Sequence, residues 1–208
     1  MNSLFRWWFR VSVWVFLHVN LVGAMNIVFM DVAYGERFTD SPTLGSKDAS
    51  VVVVEFFSPS CVHCGNFHKH IFPTLKEKYI NTGRVRWVLH EIYTNKYDLY
   101  AAQIMRCGGK DSYETLFNVL LENQEKWLKA REPLKSMERH VRIAGFPQKQ
   151  LDSCLGDAKF SAELVSGFSE RAKRYTVEAT PTFYINGKKT EGSRSVQGMS
   201  LLIDEFLK

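Results

Sequence analysis

The chain has 208 residues, 45% of them hydrophobic and 24% charged, a balance that excludes a disordered polar chain, a collagen-like repeat and a polytopic membrane protein. Lys and Arg outnumber Asp and Glu by 27 to 22, yet the excess is scattered, and no block of like charges suggests a nucleic-acid arm. Four cysteines, Cys61, Cys64, Cys107 and Cys154, are too few for a disulfide-stapled miniprotein, and a chain this long can bury a core without them.

Arg6 and Arg10 carry the only charges before Asp31, and an apolar run from Val11 reaches the small pair Gly23 and Ala24. This is the layout of a secretory signal peptide over 1–24, cleaved after Ala24 and followed by an N-terminal extension over 25–46. The alternative is an uncleaved membrane anchor, since the region stays apolar to Met30 and 11–30 has about the 20 residues a span needs. Either way the remainder is expected in an exported compartment, where disulfides persist.

Residues 40–48 read as turn-rich, with Ser41-Pro42 and Gly45-Ser46. Val51 to Phe57 is a continuous β-branched and aromatic run, the mark of a strand buried on both faces, with the lone acid Glu55 inside it. Ser58-Pro59-Ser60 breaks that strand. Ser60 suits the N-cap of a helix that repeats Phe67, Ile71, Leu75 and Tyr79 along one face and is kinked by Pro73. Asn81-Thr82-Gly83 ends the helix, and Val85 to Ile92 is the next strand.

From Tyr97 to Tyr175 the pattern is helical. Asp111 and Glu114 are spaced as a capping box ahead of Tyr113, Leu116, Phe117 and Leu120. Pro133 suits the first turn of a helix with Leu134, Met137 and Val141 on one face, and Gly145-Phe146-Pro147 stops it. A further helix carries Phe160, Leu164, Phe168 and Ala172. Thr182 to Ile185 returns to strand, Asn186-Gly187 is a hairpin turn, Lys188 to Thr190 pairs back, and a helix from about Ser200 to Phe206 closes the chain. The sum is a small α/β fold: a sheet-bearing domain from 47–96 and 176–208, with a helical domain inserted at 97–175.

The chemistry concentrates at Cys61-Val62-His63-Cys64. Thiols three apart share one helical face and can close a short disulfide, and Cys61 falls at the strand-to-helix junction. Unpaired N–H groups and the positive end of the helix dipole favour a thiolate there, so Cys61 is the expected nucleophile. His63 can place a cation or an N–H donor near that sulfur. A stabilised thiolate makes the reduced state better and the disulfide more oxidising. The blander reading is a structural disulfide or two neighbouring buried thiols.

Zinc is the other reading, since Cys61, Cys64, His68 and His70 form a C-x2-C-x3-H-x-H string. Structural zinc usually joins ligands from two elements, and His68 and His70 point to different sides of a helix, so metal is not expected. His68, His70, His90 and His140 read as ordinary surface or partly packed residues.

The segment from Val54 through Cys64, with Phe67 and His68 after it, and the later run from Ala179 through Pro181 to Gly187 together resemble the DsbA-like thiol:disulfide oxidoreductases of the thioredoxin fold. The likeness covers about Leu44 to Lys208. It implies that Cys61 is the exposed nucleophile, Cys64 its buried partner, Pro181 a cis-proline facing the disulfide, and Thr180 the residue whose backbone pairs with an incoming peptide. Glu55 matches the family's buried acid below the active site, and on its own terms an acid in an apolar strand is expected to be partly protonated or water-linked and able to relay a proton. The alternatives are a strand-end acid reaching solvent, and for Pro181 a trans edge-strand proline. The departure is Val62, beside the substrate groove, where the best-known members have proline.

The resemblance implies a periplasmic, monomeric oxidase that needs no cofactor. It would donate the Cys61–Cys64 disulfide to reduced exported polypeptides and be reoxidised by a membrane partner. The rival functions are a disulfide isomerase or reductase of the same fold, and a redox-inactive domain that holds extended peptides in the Pro181 groove. Cys107 and Cys154 each precede a helix-stopping glycine, Gly108 and Gly156, so their helix ends can meet. A structural disulfide between them would close a loop of roughly 48 residues, for about 4 kcal/mol in the chain-entropy model. Two separate buried thiols, or a second redox-active pair, are the alternatives.

Overall fold

The structure, a computed structural model, describes residues 40–190 and 195–208. The expected signal peptide and most of the N-terminal extension lie outside the described residues. The extension's last part is not only turn: Thr43–Leu44 (β1) pairs antiparallel with Val88 and Trp87. Two residues are too few to show a period, which is why a turn-rich reading hid them.

Val51–Phe57 (β2) is the middle strand, as an apolar run without alternation requires. The chain leaves it through Val62–His70 (α1) and Phe72–Leu75 (α2), then a π-helical turn Lys76–Ile80, and returns as Val85–Glu91 (β3), parallel to β2. The helix breaks at Ile71, two residues before Pro73, whose ring and missing N–H disfavour a continuous helix. Cys61, not Ser60, is the N-cap of α1, and no side chain caps that helix.

Six helices follow before the next strand: Lys96–Cys107 (α3), Gly109–Glu122 (α4), Gln124–Leu128 (α5), Pro133–Ile143 (α6), Gln148–Leu155 (α7) and Ala158–Ala172 (α8). The capping box expected at Asp111 and Glu114 does not form, because α4 begins at Gly109 and the Glu114 carboxylate pairs with Lys76. The box lies instead at the start of α3, between Asn95 and Asp98. Thr182–Ile185 (β4) then pairs antiparallel with β2, Asn186 and Gly187 turn with φ of 46° and 83°, and Lys188–Thr190 (β5) completes the sheet in the order β1-β3-β2-β4-β5. Val196–Phe206 (α9) starts four residues before the expected Ser200, capped by the Ser195 side chain on the Gly198 N–H at 3.1 Å.

Sheet and helices share one core. Phe67 of α1 lies 4.9 Å from Phe183 of β4 and 6.2 Å from Trp87 of β3, ring centre to ring centre, while Trp127 of α5 is fully buried and donates to the Leu120 carbonyl at 2.8 Å. This is a thioredoxin-like sheet with a helical insertion between β3 and β4. Among the described residues no helix is long and apolar enough to cross a membrane.

Candidate active site

Because β2 is central and buried, the chain must climb out of the sheet before it can start a helix, and the loop 58–61 does this at the strand's C-terminal end. Its turn is closed by the Cys61 N–H on the Ser58 carbonyl at 3.0 Å. Asp98, fully buried at the start of α3, accepts from the Ser58 hydroxyl and from the Ser60 N–H, both at 2.8 Å. Gln124 of α5 donates to the carbonyls of Pro59 and Cys61 at 2.7 and 2.9 Å.

Cys61 ends that loop, partly exposed, and both thiols are free. Its Sγ lies 3.3 Å from the Thr180 carbonyl, and the Thr180–Pro181 peptide is cis. The Cys61 thiol is lowered to about 5. The leading cause is a hydrogen bond from the Cys64 thiol; burial works against it, and the Thr180 side chain and the backbone N–H groups of Cys64 and His63 add to it. Cys64, fully buried one helical turn on, is pushed far above the thiol range by burial first, then by its bond to Cys61 and the charges of Cys61 and Glu55. One sulfur is therefore a thiolate at neutral pH and the other keeps its proton. His63 is exposed, and among the described residues its ring makes no hydrogen bond to Cys61. Its contribution comes from the backbone N–H and not, as expected, from the imidazole. Val62 is 58% exposed beside the nucleophile.

Glu55 is not a strand-end acid reaching solvent. It is fully buried, accepts from the Trp87 indole N–H at 2.8 Å and shares a 2.7 Å hydrogen bond with His68 Nε2. The reading of His68 as an ordinary surface or partly packed residue is corrected accordingly: it lies one turn beyond Cys64 on the same face of α1, buried and ringed by Phe57, Phe67, Phe72 and Phe117. With His68 turned to Glu55 and His70 exposed, the four-ligand zinc string points in different directions. His90 is likewise buried, 7% exposed, and shares a 2.9 Å hydrogen bond with the Ser41 hydroxyl. Cys107 and Cys154 are joined by a disulfide, both buried, with Cα atoms 5.6 Å apart, at the ends of α3 and α7.

The sequence reading missed Trp87, Asp98, Gln124 and the role of His68. Trp87 could have been found from strand register, because it lies two residues before Leu89, the partner of Glu55, and so on the same face. Asp98 and Gln124 act across 38 and 65 positions, and no local pattern marks such contacts.

A family model described as Thioredoxin matches residues 38–205. The putative protein-disulfide oxidoreductase of Rickettsia prowazekii is 36% identical over 165 residues, covering 79% of this chain and 60% of that protein. The chain therefore spans about 60% of the length of that relative. The probable disulfide bond formation protein D of Bacillus cereus is 28% identical over 179 residues, covering 82% of this chain and 81% of that protein. The crystal structure of Wolbachia pipientis alpha-DsbA1 aligns with a TM-score of 0.74 at 23% identity, over 82% of this chain and 92% of that one. Oxidised BdbD from Bacillus subtilis gives 0.71 at 23% identity, over 84% and 97%. At these identities the two structures speak for the fold.

Proposed function

The chain belongs to the thioredoxin family, and on that premise we propose that it is a thiol:disulfide oxidoreductase that donates the Cys61–Cys64 disulfide to exported proteins in the periplasm. The observation that carries this is the division of labour between two thiols on one helical face: a partly exposed sulfur held as a thiolate, and a buried one held protonated. A thiolate of the substrate attacks Cys61 Sγ, the Cys61–Cys64 bond breaks, and Cys64 leaves and takes up a proton. A second substrate thiolate then attacks the same substrate sulfur, and Cys61 leaves as a stabilised thiolate. Two electrons pass from substrate to protein. In this reading Thr180 and Pro181 receive an extended peptide beside the sulfur, Val62 borders the same groove, and Glu55 passes the proton that Cys64 gains or loses. His63 acts through its backbone.

The relatives' names support disulfide chemistry, and the apolar N-terminal segment supports an exported enzyme. In this reading it works as a monomer on reduced polypeptides, with no diffusible cofactor, and a disulfide-bearing membrane partner restores the Cys61–Cys64 bond. The insertion at 97–175 serves as a helical domain on the thioredoxin-like part. Equilibration of the Cys61/Cys64 pair with glutathione tests the reading. A potential well above the value of about −270 mV for thioredoxin, toward the value of about −120 mV for DsbA, is expected; one near thioredoxin's would sink the oxidase assignment.

A further inference from the structure

We propose that Gln124, from the insertion, is a positioning residue for the nucleophile: its side-chain amide pins the backbone from which Cys61 enters α1, and so sets how the N–H groups of His63 and Cys64 meet the sulfur. The inference rests on the disulfide-exchange reading above and names a further residue for the same site. Gln124 Nε2 spends both of its protons on this loop, one on the Pro59 carbonyl at 2.7 Å and one on the Cys61 carbonyl at 2.9 Å. The other end of the Pro59–Ser60 peptide, its N–H, donates to Asp98 Oδ1 at 2.8 Å. The second peptide group before the nucleophile is thus gripped at both ends by side chains of the insertion. A plane held at both ends cannot rotate about its flanking dihedrals, so the N-terminus of α1, which no side chain of its own caps, is fixed from outside.

Gly65 is the counterpart of this contact. A Cβ there would stand 2.2 Å from Gln124 Oε1 and 2.7 Å from its Cδ, and the three nearest atoms all belong to Gln124. Alanine is the better helix former at an interior position of α1. Glycine at 65 therefore favours the Gln124 contact at the expense of the helix. Gln124 itself is only 5% exposed, so water does not readily replace it on those carbonyls.

The test uses four full-length reduced proteins: wild type, Gln124→Ala, Gly65→Ala and the double variant. In each, the thiolate absorbance of Cys61 is titrated against pH, the glutathione equilibrium is measured, and the unfolding temperature is recorded. Each single variant is expected to raise the Cys61 midpoint by about half a unit, about threefold less thiolate on the flank of the titration, and to make the pair less oxidising. The double variant should be no worse than Gln124→Ala, because the added Cβ then meets no amide. Gly65→Ala keeps every polar group, so it carries the test if Gln124→Ala does not fold. Lower unfolding temperatures with an unchanged midpoint and an unchanged glutathione equilibrium would make Gln124 a packing residue and overturn the proposal, as would additive effects in the double variant. A wild type that titrates as an ordinary thiol defeats the disulfide-exchange reading itself.

Discussion

Cys61 and Cys64 differ in chemistry only through their surroundings, since one is partly exposed at the N-cap of α1 and the other is fully buried within that helix. That difference can be read directly. Reduced protein treated with iodoacetamide at pH 6 should be alkylated at Cys61 and spared at Cys64, with the rate falling about tenfold for each pH unit below the midpoint near 5. Peptide mass spectrometry checks it, and early modification of Cys64 would reverse the assignment. His90 gives a second prediction. Burial first, then the charge of Arg171, lowers it from 6.5 to about 4. The unfolded chain thus binds a proton at a pH where the folded one does not, and stability declines as pH falls from 6.5 to 4, by an amount approaching 3 kcal/mol. Denaturant unfolding at pH 7 and pH 4.5 should show this loss in wild type and a smaller one in His90→Gln; equal losses would remove His90 from the account. The places of Cys61, Cys64, Pro181 and Glu55 in the fold were legible because each stands at a marked point in a short motif. His68 and His90 were not, because a lone histidine in an apolar run looks the same whether it meets water or a partner.

The elements that the sequence made plain are those long enough to show a period. Val51 to Phe57, the helix of Phe160 and Leu164, and the Asn186-Gly187 hairpin fall where they were expected, while the two residues of β1 and the first turn of α9 did not announce themselves. Docking of the insertion was invisible for another reason: it depends on a polar anchor between distant segments. Glu91, at the end of β3, receives Arg106 of α3 through two bonds, 3.0 Å from Nε and 2.7 Å from Nη2, and a third at 3.1 Å from the Tyr113 hydroxyl. Burial pushes the Glu91 carboxyl up, and the adjacent guanidinium outweighs it and holds the group below its usual range. Arg106→Leu strands a buried carboxylate and should cost about 3–5 kcal/mol, whereas Glu91→Leu with Arg106→Leu should cost much less. Urea melts of the two variants decide it. A double variant as unstable as the single one would show that shape, and not charge, is what the anchor supplies.

At the scale of the whole molecule, the Cys107–Cys154 bond ties the ends of α3 and α7 across a separation of 47 residues. Closing a loop of that length limits the unfolded chain, so replacing both cysteines by alanine should lower stability by up to about 4 kcal/mol. Since both sulfurs are buried, mild reductant should open Cys61–Cys64 and leave this bridge intact, which mass mapping of the alkylated protein will show. Simultaneous reduction at one potential would make it a second redox pair.

The sheet described above also bears on how such a protein survives its own trade. A molecule proposed to meet unfolded chains lives among loose strands seeking a backbone to pair with. Among the described residues its outer strands are a two-residue β1 and a three-residue β5 whose Lys188 and Lys189 are both exposed. Short edges and lysines discourage stacking of one sheet on the rim of another. In the proposed role, a chain held at the Pro181 loop would then be let go without seeding aggregates.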